Sequence, residues 1–148
     1  MENNSKVMFA GPYNCAQSVF GQFAEQFGLE REVALRIATP FGGGIGHSGQ
    51  LCGAVSGAIL AIGLAQGTGT GNKPQKEACY ALVRSFIERF KAKHGSITCP
   101  DLLGVDLADP VEYERAHELD LFQTRCADYV SDAVRITAEL LKDRYHQT

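Results

Sequence analysis

The chain has 148 residues, 45% of them apolar and 21% charged, a composition that fits one folded globular domain and excludes a disordered chain. A net charge of −3 and a pI near 5.8 leave no basic stripe to neutralise phosphates, which argues against a nucleic-acid partner. The most hydrophobic segment, Gly53 to Ala65, falls short of the ~20 residues a membrane span needs, and the polar start Met1-Glu2-Asn3-Asn4 with its brief apolar run Val7 to Ala10 makes no signal h-region, so a cytosolic protein without an anchor is expected.

Nearly every segment reads helical, because Val, Ile and Thr are scattered instead of alternating. Asn14 with Gln17 forms a capping-box pattern, Val19, Phe20, Phe23 and Phe27 share one face, and Gly28 is the expected stop. A short second helix spans about Glu30 to Ala38 and is ended by Pro40. The glycine-rich stretch Gly42 to Gly49 follows. A third helix is expected from near Ser48 or Gln50 to about Gln66. Residues 67–72 read as a surface loop. Pro74 suits the first turn of a fourth helix closed by Gly95, with Val83, Phe86, Ile87 and Phe90 inward. Thr98-Cys99-Pro100-Asp101 opens a short helix that stops at Gly104, and Asp109-Pro110 opens another. The last helix is expected from around Leu119 to Arg144. No domain boundary or repeat is visible. The expectation is a single all-α domain over residues 1–148, a compact bundle of about six helices with the glycine-rich loop before its central helix.

The chemistry-bearing residues are the cysteines at 15, 52, 79, 99 and 126. A cytosolic setting keeps thiols reduced, so they do not read as a disulfide scaffold. No two lie within three residues of each other, so local thioredoxin, haem and zinc motifs are absent, and no metal ligand or cofactor is assigned. Cys15 and Cys99 each follow a cap residue, and Cys52 lies near the start of the third helix. At such positions the helix dipole and free N–H groups lower a thiol pKa. The competing reading is that free cysteines are common buried residues. Cys126 sits among Phe122, Tyr129 and Val130 and reads locally as core, and Cys79 reads as structural.

Gly42 to Gly46 and Gly49 are open to two readings, a nest of N–H groups for an anion or thiolate, or a tight crossover. Neither a P-loop ending nor a preceding strand is present, so nucleotide binding is set aside. Gly53, Gly57 and Ala61 repeat every four residues and let another helix approach closely. His47 is a candidate base or ligand. His94, His117 and His146 read as solvated, and the carboxylates lie mainly on exposed helix faces.

Four segments carry a family resemblance: Tyr13-Asn14-Cys15-Ala16-Gln17; Phe41 to Gly46 with Cys52-Gly53-Ala54-Val55-Ser56-Gly57; Ser96 to Gly104 around Cys99; and Arg125-Cys126-Ala127-Asp128-Tyr129-Val130. In this order, over nearly the whole chain, they resemble the prokaryotic C_GCAxxG_C_C family, whose redox label is itself inferred from its cysteines. Here Cys52 precedes Gly53, giving C-G-A-x-x-G where the family name has G-C-A-x-x-G. The resemblance implies that Cys15, Cys52, Cys99 and Cys126 are the site residues, and it leaves Cys79 without a counterpart.

Two functions follow as expectations. In the first, a thiolate such as Cys15 or Cys99 attacks an oxidant or a disulfide and a second cysteine resolves it, which makes the chain a candidate thiol oxidoreductase with an unidentified redox partner. In the second, the four cysteines are ligands of a metal or iron–sulfur centre. A helical interaction protein with merely packed cysteines is a third. Self-association stays open. The expectation that separates them is geometric: the four cysteines converge on one pocket, the glycine loop lies against it, and Cys79 stands apart.

Overall fold

The computed structural model describes residues 2–144. The reading at His146 lies outside them. Among the described residues the chain is all-α, without strands. Its helices are α1 (Ser5–Ala10), α2 (Cys15–Phe20), α3 (Arg31–Ala38), α4 (Gly53–Gln66), α5 (Lys73–His94), α6 (Cys99–Leu103), α7 (Pro110–Glu118) and α8 (Ala127–Leu140).

Helix α4 is the hub. Gly53 through Ala58 are all buried, as are Ala61, Ile62 and Gln66, so most of the helix is covered, as its nearly unbroken apolar sequence demands, with Gly63 left exposed. Helices α2, α5 and α8 pack around it, α1 lies on α8, and α3 lies on α2. The approach of α2 is set by glycine: a Cβ at Gly57 would stand 2.7 Å from the Ala16 carbonyl oxygen and 2.9 Å from the Val19 Cβ. Phe23, Ile62, Phe86 and Phe90 are fully buried, each contributing about 1.5–3 kcal/mol of hydrophobic stabilisation.

The local signals place most helix ends. The Asn14 side chain accepts from the Gln17 N–H and the Gln17 side chain accepts from the Asn14 N–H, both at 2.9 Å, satisfying two orphan donors of α2. Asn72 caps α5 through the Gln75 N–H at 2.9 Å, and Gly95 ends it at φ 87° with its N–H on Lys91 O. Asp109 caps α7 through the Val111 N–H at 2.9 Å.

Four details differ from expectation. Helix α2 ends at Phe20, and Gly28 (φ 84°) caps a separate 3-10 turn, Glu25–Phe27. The central helix starts at Gly53, not near Ser48 or Gln50, because Leu51 is held extended in an antiparallel bridge to Thr98. The last helix does not run unbroken from Leu119. Asp120 takes φ 55°, a π-helical turn occupies Phe122–Cys126, and α8 then ends at Leu140. Helix α1 was not anticipated: its run of six residues is too short to show periodicity, and Val7 is exposed.

Candidate functional site

The bridge between Leu51 and Thr98 does more than delay a helix. Cys52 N–H donates to Ile97 O at 2.8 Å and Cys99 N–H donates to Gln50 O at 3.0 Å. In an antiparallel pair, residues flanking the bridged position on each strand point to the same face. Cys52 and Cys99 therefore share a face, near enough for the Cys99 thiol to favour the protonated Cys52 thiol. Cys52 is the N-cap of α4 and Cys99 the first residue of α6; both are buried.

Cys15 opens α2 and Cys126 closes the π turn before α8; both are half-buried. These four thiols, from four separate stretches of chain, line one cavity of about 180 Å³. Cys79, half-buried on α5, is not part of its wall.

The glycine loop closes one side. Gly43 and His47 are in the wall. Gly44 is buried at φ 69°, and a Cβ there would meet the Gln50 N–H at 2.7 Å and the Cys99 sulfur at 3.1 Å. A Cβ at Gly53 would fall on the Cys15 sulfur. Two glycines are thus the space into which two sulfurs fit.

The electrostatics correct one expectation. The backbone N–H groups of Gly43 and Ala16 do point at the Cys15 sulfur, and those of Ala54 and Val55 at Cys52. They favour the thiolates, yet burial wins. The Cys15 thiol is pushed up from 9.0 to about 12, first by burial and then by the neighbouring charge of Cys52. The Cys52 thiol is raised well above its ordinary value, first by its hydrogen bond with Cys99, then by burial. Burial, then Cys15 and Cys52, raise the Cys126 thiol against the pull of Arg125. At Cys15 and Cys52 the helix-start position does not produce a low-pKa thiol, because desolvation disfavours the charged form more than the dipoles support it.

Rings form the rim. Tyr113 meets His47 and His117 edge-on, each at 4.8 Å between centroids, and Phe122 lies 4.7 Å from His117. His117 is solvent-exposed, as expected, but stands in the cavity wall. Tyr129 is in the wall and donates to Leu102 O at 2.8 Å. The i,i+3 spacing from Cys126 to Tyr129 and the i,i+4 spacing from Tyr113 to His117 were the available signals for these residues. His94 is not solvated: its side chain is 11% exposed, bonded to Asp132 at 2.9 Å and edge-on to Tyr129.

If the site held a metal or cluster, the four cavity thiols would supply its ligands. Among the described residues no group of three or more His, Cys, Asp or Glu side chains is gathered closely enough to hold a metal ion. No helix among the described residues is long and apolar enough to cross a membrane.

Comparison with known proteins matches residues 13–140 to the family described as "Putative redox-active protein (C_GCAxxG_C_C)", a span that contains all four cavity cysteines. The chain is 33% identical over 144 residues to a protein of Archaeoglobus fulgidus described as "Uncharacterized protein", covering 88% of this chain and 86% of that one. No solved structure matches.

Proposed function

The chain belongs to the C_GCAxxG_C_C family, and from that premise we propose that Cys15, Cys52, Cys99 and Cys126 are its redox-active thiols, passing between dithiol and disulfide as a thiol oxidoreductase. The observation that carries this reading is that the four thiols face a single cavity while Cys79 is outside it. Cys52 and Cys99, set on one face by the Leu51–Thr98 bridge, are the pair that closes. Half-buried Cys15 and Cys126 meet the incoming partner. The raised pKa values of Cys15, Cys52 and Cys126 keep those thiols protonated at rest. Attack begins when one thiol loses its proton, and the N–H groups of Gly43 and Ala16 are aimed where that charge appears on Cys15.

Equilibration in graded thiol–disulfide buffers, followed by intact mass, tests this. A single transition losing two hydrogens per molecule, retained in Cys79→Ser and lost in both Cys52→Ser and Cys99→Ser, is expected. Retention of the transition in the last two variants would refute the pairing.

A second reading, a four-cysteine metal or iron–sulfur module, requires the four thiols to draw closer together, since among the described residues no three such side chains are gathered closely enough to hold a metal ion. Metal analysis and visible absorbance of freshly purified protein decide between them. Stoichiometric metal, lost in Cys52→Ser, would put the second reading in place of the first.

A further inference from the structure

The cavity wall contains no Asp, Glu, Lys or Arg. Beyond the thiols it is made largely by apolar groups, among them Phe9, Leu103, Leu107 and Phe122. The nearest basic neighbour in sequence, Arg125, is not in the wall; its guanidinium donates to Leu103 O at 3.2 Å, and its charge reaches the cavity as a lowering influence on the Cys126 thiol. A cation brought into such a space loses hydration without gaining a carboxylate, and an anion meets only the rim rings of His47 and His117 and uncharged polar groups, whereas an uncharged molecule loses little. Size adds a second restriction. An apolar cavity of about 150 Å³ accommodates benzene, so the 180 Å³ here encloses a molecule of that order, and a tripeptide disulfide would leave most of its bulk outside the mouth.

We propose that the oxidising substrate of this site is a small, uncharged disulfide, and that the cavity rejects charged disulfides of the same size. This rests on the thiol–disulfide reading and adds the substrate class to it. In the step, one cavity thiol gives up its proton and its sulfur attacks R–S–S–R. The substrate S–S bond breaks, and the departing RS⁻ takes up a proton. A second cavity thiol attacks the resulting mixed disulfide and expels the other R–S as RSH. Two protein thiols and one R–S–S–R thus become one protein disulfide and two RSH. The protein loses two electrons and the substrate gains them.

Three reagents of similar size separate charge from reactivity: bis(2-hydroxyethyl) disulfide, uncharged; cystamine, a dication; and dithiodiglycolate, a dianion. Each is reacted with the reduced full-length protein, and each rate is divided by that reagent's rate with 2-mercaptoethanol. Peptide mass spectrometry assigns the reaction to individual cysteines, with Cys79 as an internal control outside the cavity. At the cavity cysteines the uncharged reagent is expected to react at least about tenfold faster, after normalisation, than either charged one, with no such preference at Cys79. Equal normalised rates at the cavity cysteines would overturn the charge selectivity and leave the thiol reading standing. Reaction confined to Cys79 would overturn both.

Gln123 is an exposed residue of the wall, so Gln123→Lys adds a positive charge at the mouth without disturbing the core. Several-fold faster reaction with the dianion and slower reaction with the dication are expected. Unchanged ratios in this variant would count against the proposal.

Discussion

Helix α4 runs between two glycine-rich segments, residues 42–49 before it and 67–72 after it. They look alike in composition and differ in what occupies the space beside each glycine. In the first, a Cβ at Gly43 would meet the His47 ring, one at Gly44 the Cys99 sulfur, and one at Gly49 the Asp106 carboxylate at 2.7 Å. In the second, Gly67 closes against the Gly63 carbonyl oxygen at the end of α4, but past it nothing lies within 4 Å of a Cβ at Gly69 or Gly71. At Gly43, Gly44 and Gly49 neighbours fill the room a side chain would need, whereas Gly69 and Gly71 stand on open surface. Glycine content therefore does not mark a site; the groups that press against the backbone do. The same contrast runs along α4 itself, from Gly53 and Gly57 under α2 to Gly63, which has nothing near it.

Substitution can break this contrast. Gly57→Ala carries the largest expected effect, because the atoms it would strike belong to the Ala16 backbone and to Val19 and cannot swing aside. A loss of about 2–3 kcal/mol in urea unfolding is expected. Gly44→Ala adds a left-handed conformation to its contact with the Gln50 amide, and a loss of about 2 kcal/mol is expected, together with altered reactivity of Cys99. On the other side, Gly63→Ala is expected to stabilise by about 0.5–1 kcal/mol through helix propensity, and Gly69→Ala to change stability by less than about 0.5 kcal/mol. A destabilising Gly63→Ala or a silent Gly57→Ala would erase the distinction.

Alkaline pH sharpens it from the site side. Cys15 titrates at about 12 in the folded chain against 9.0 for an unperturbed thiol. Its folded pKa is the higher one, so its contribution to stability is complete below about pH 9 and is lost as pH rises through about 12. Denaturation midpoints measured from pH 8 upward are expected to fall across that window, and less steeply in Cys15→Ser. Over the same range, alkylation of Cys15 in the folded protein is expected to lag far behind that in the urea-unfolded chain. Equal alkylation rates at pH 9 would contradict the burial argument.

The sequence carried the helical class plainly, since Asn14, Gln17, Asn72, Pro74, Gly95 and Asp109 act through neighbours within a turn. Cys15 and Cys99 at helix starts were legible for the same reason. The pairing of Leu51 with Thr98 was not, because it joins residues far apart in the chain, and it alone explains why α4 begins at Gly53 and why Cys52 meets Cys99. The π turn at Phe122–Cys126 and the left-handed Asp120 likewise have no local signature. The pKa shifts of Cys15 and Cys52 were misjudged in direction: dipole and cap are local and visible in sequence, whereas desolvation comes from every element that covers the site. Cys126 shows the complementary case. Its neighbours gave it to the core, and only the family resemblance joined it to the other three thiols.

The central claim is that the four cavity thiols act together and Cys79 does not. Peptide-level disulfide mapping after mild oxidation of the reduced, full-length protein tests it most directly. The account predicts a disulfide between Cys52 and Cys99, with Cys79 recovered as a free thiol. A disulfide that includes Cys79, or oxidation that leaves Cys15, Cys52, Cys99 and Cys126 all as free thiols, would contradict it.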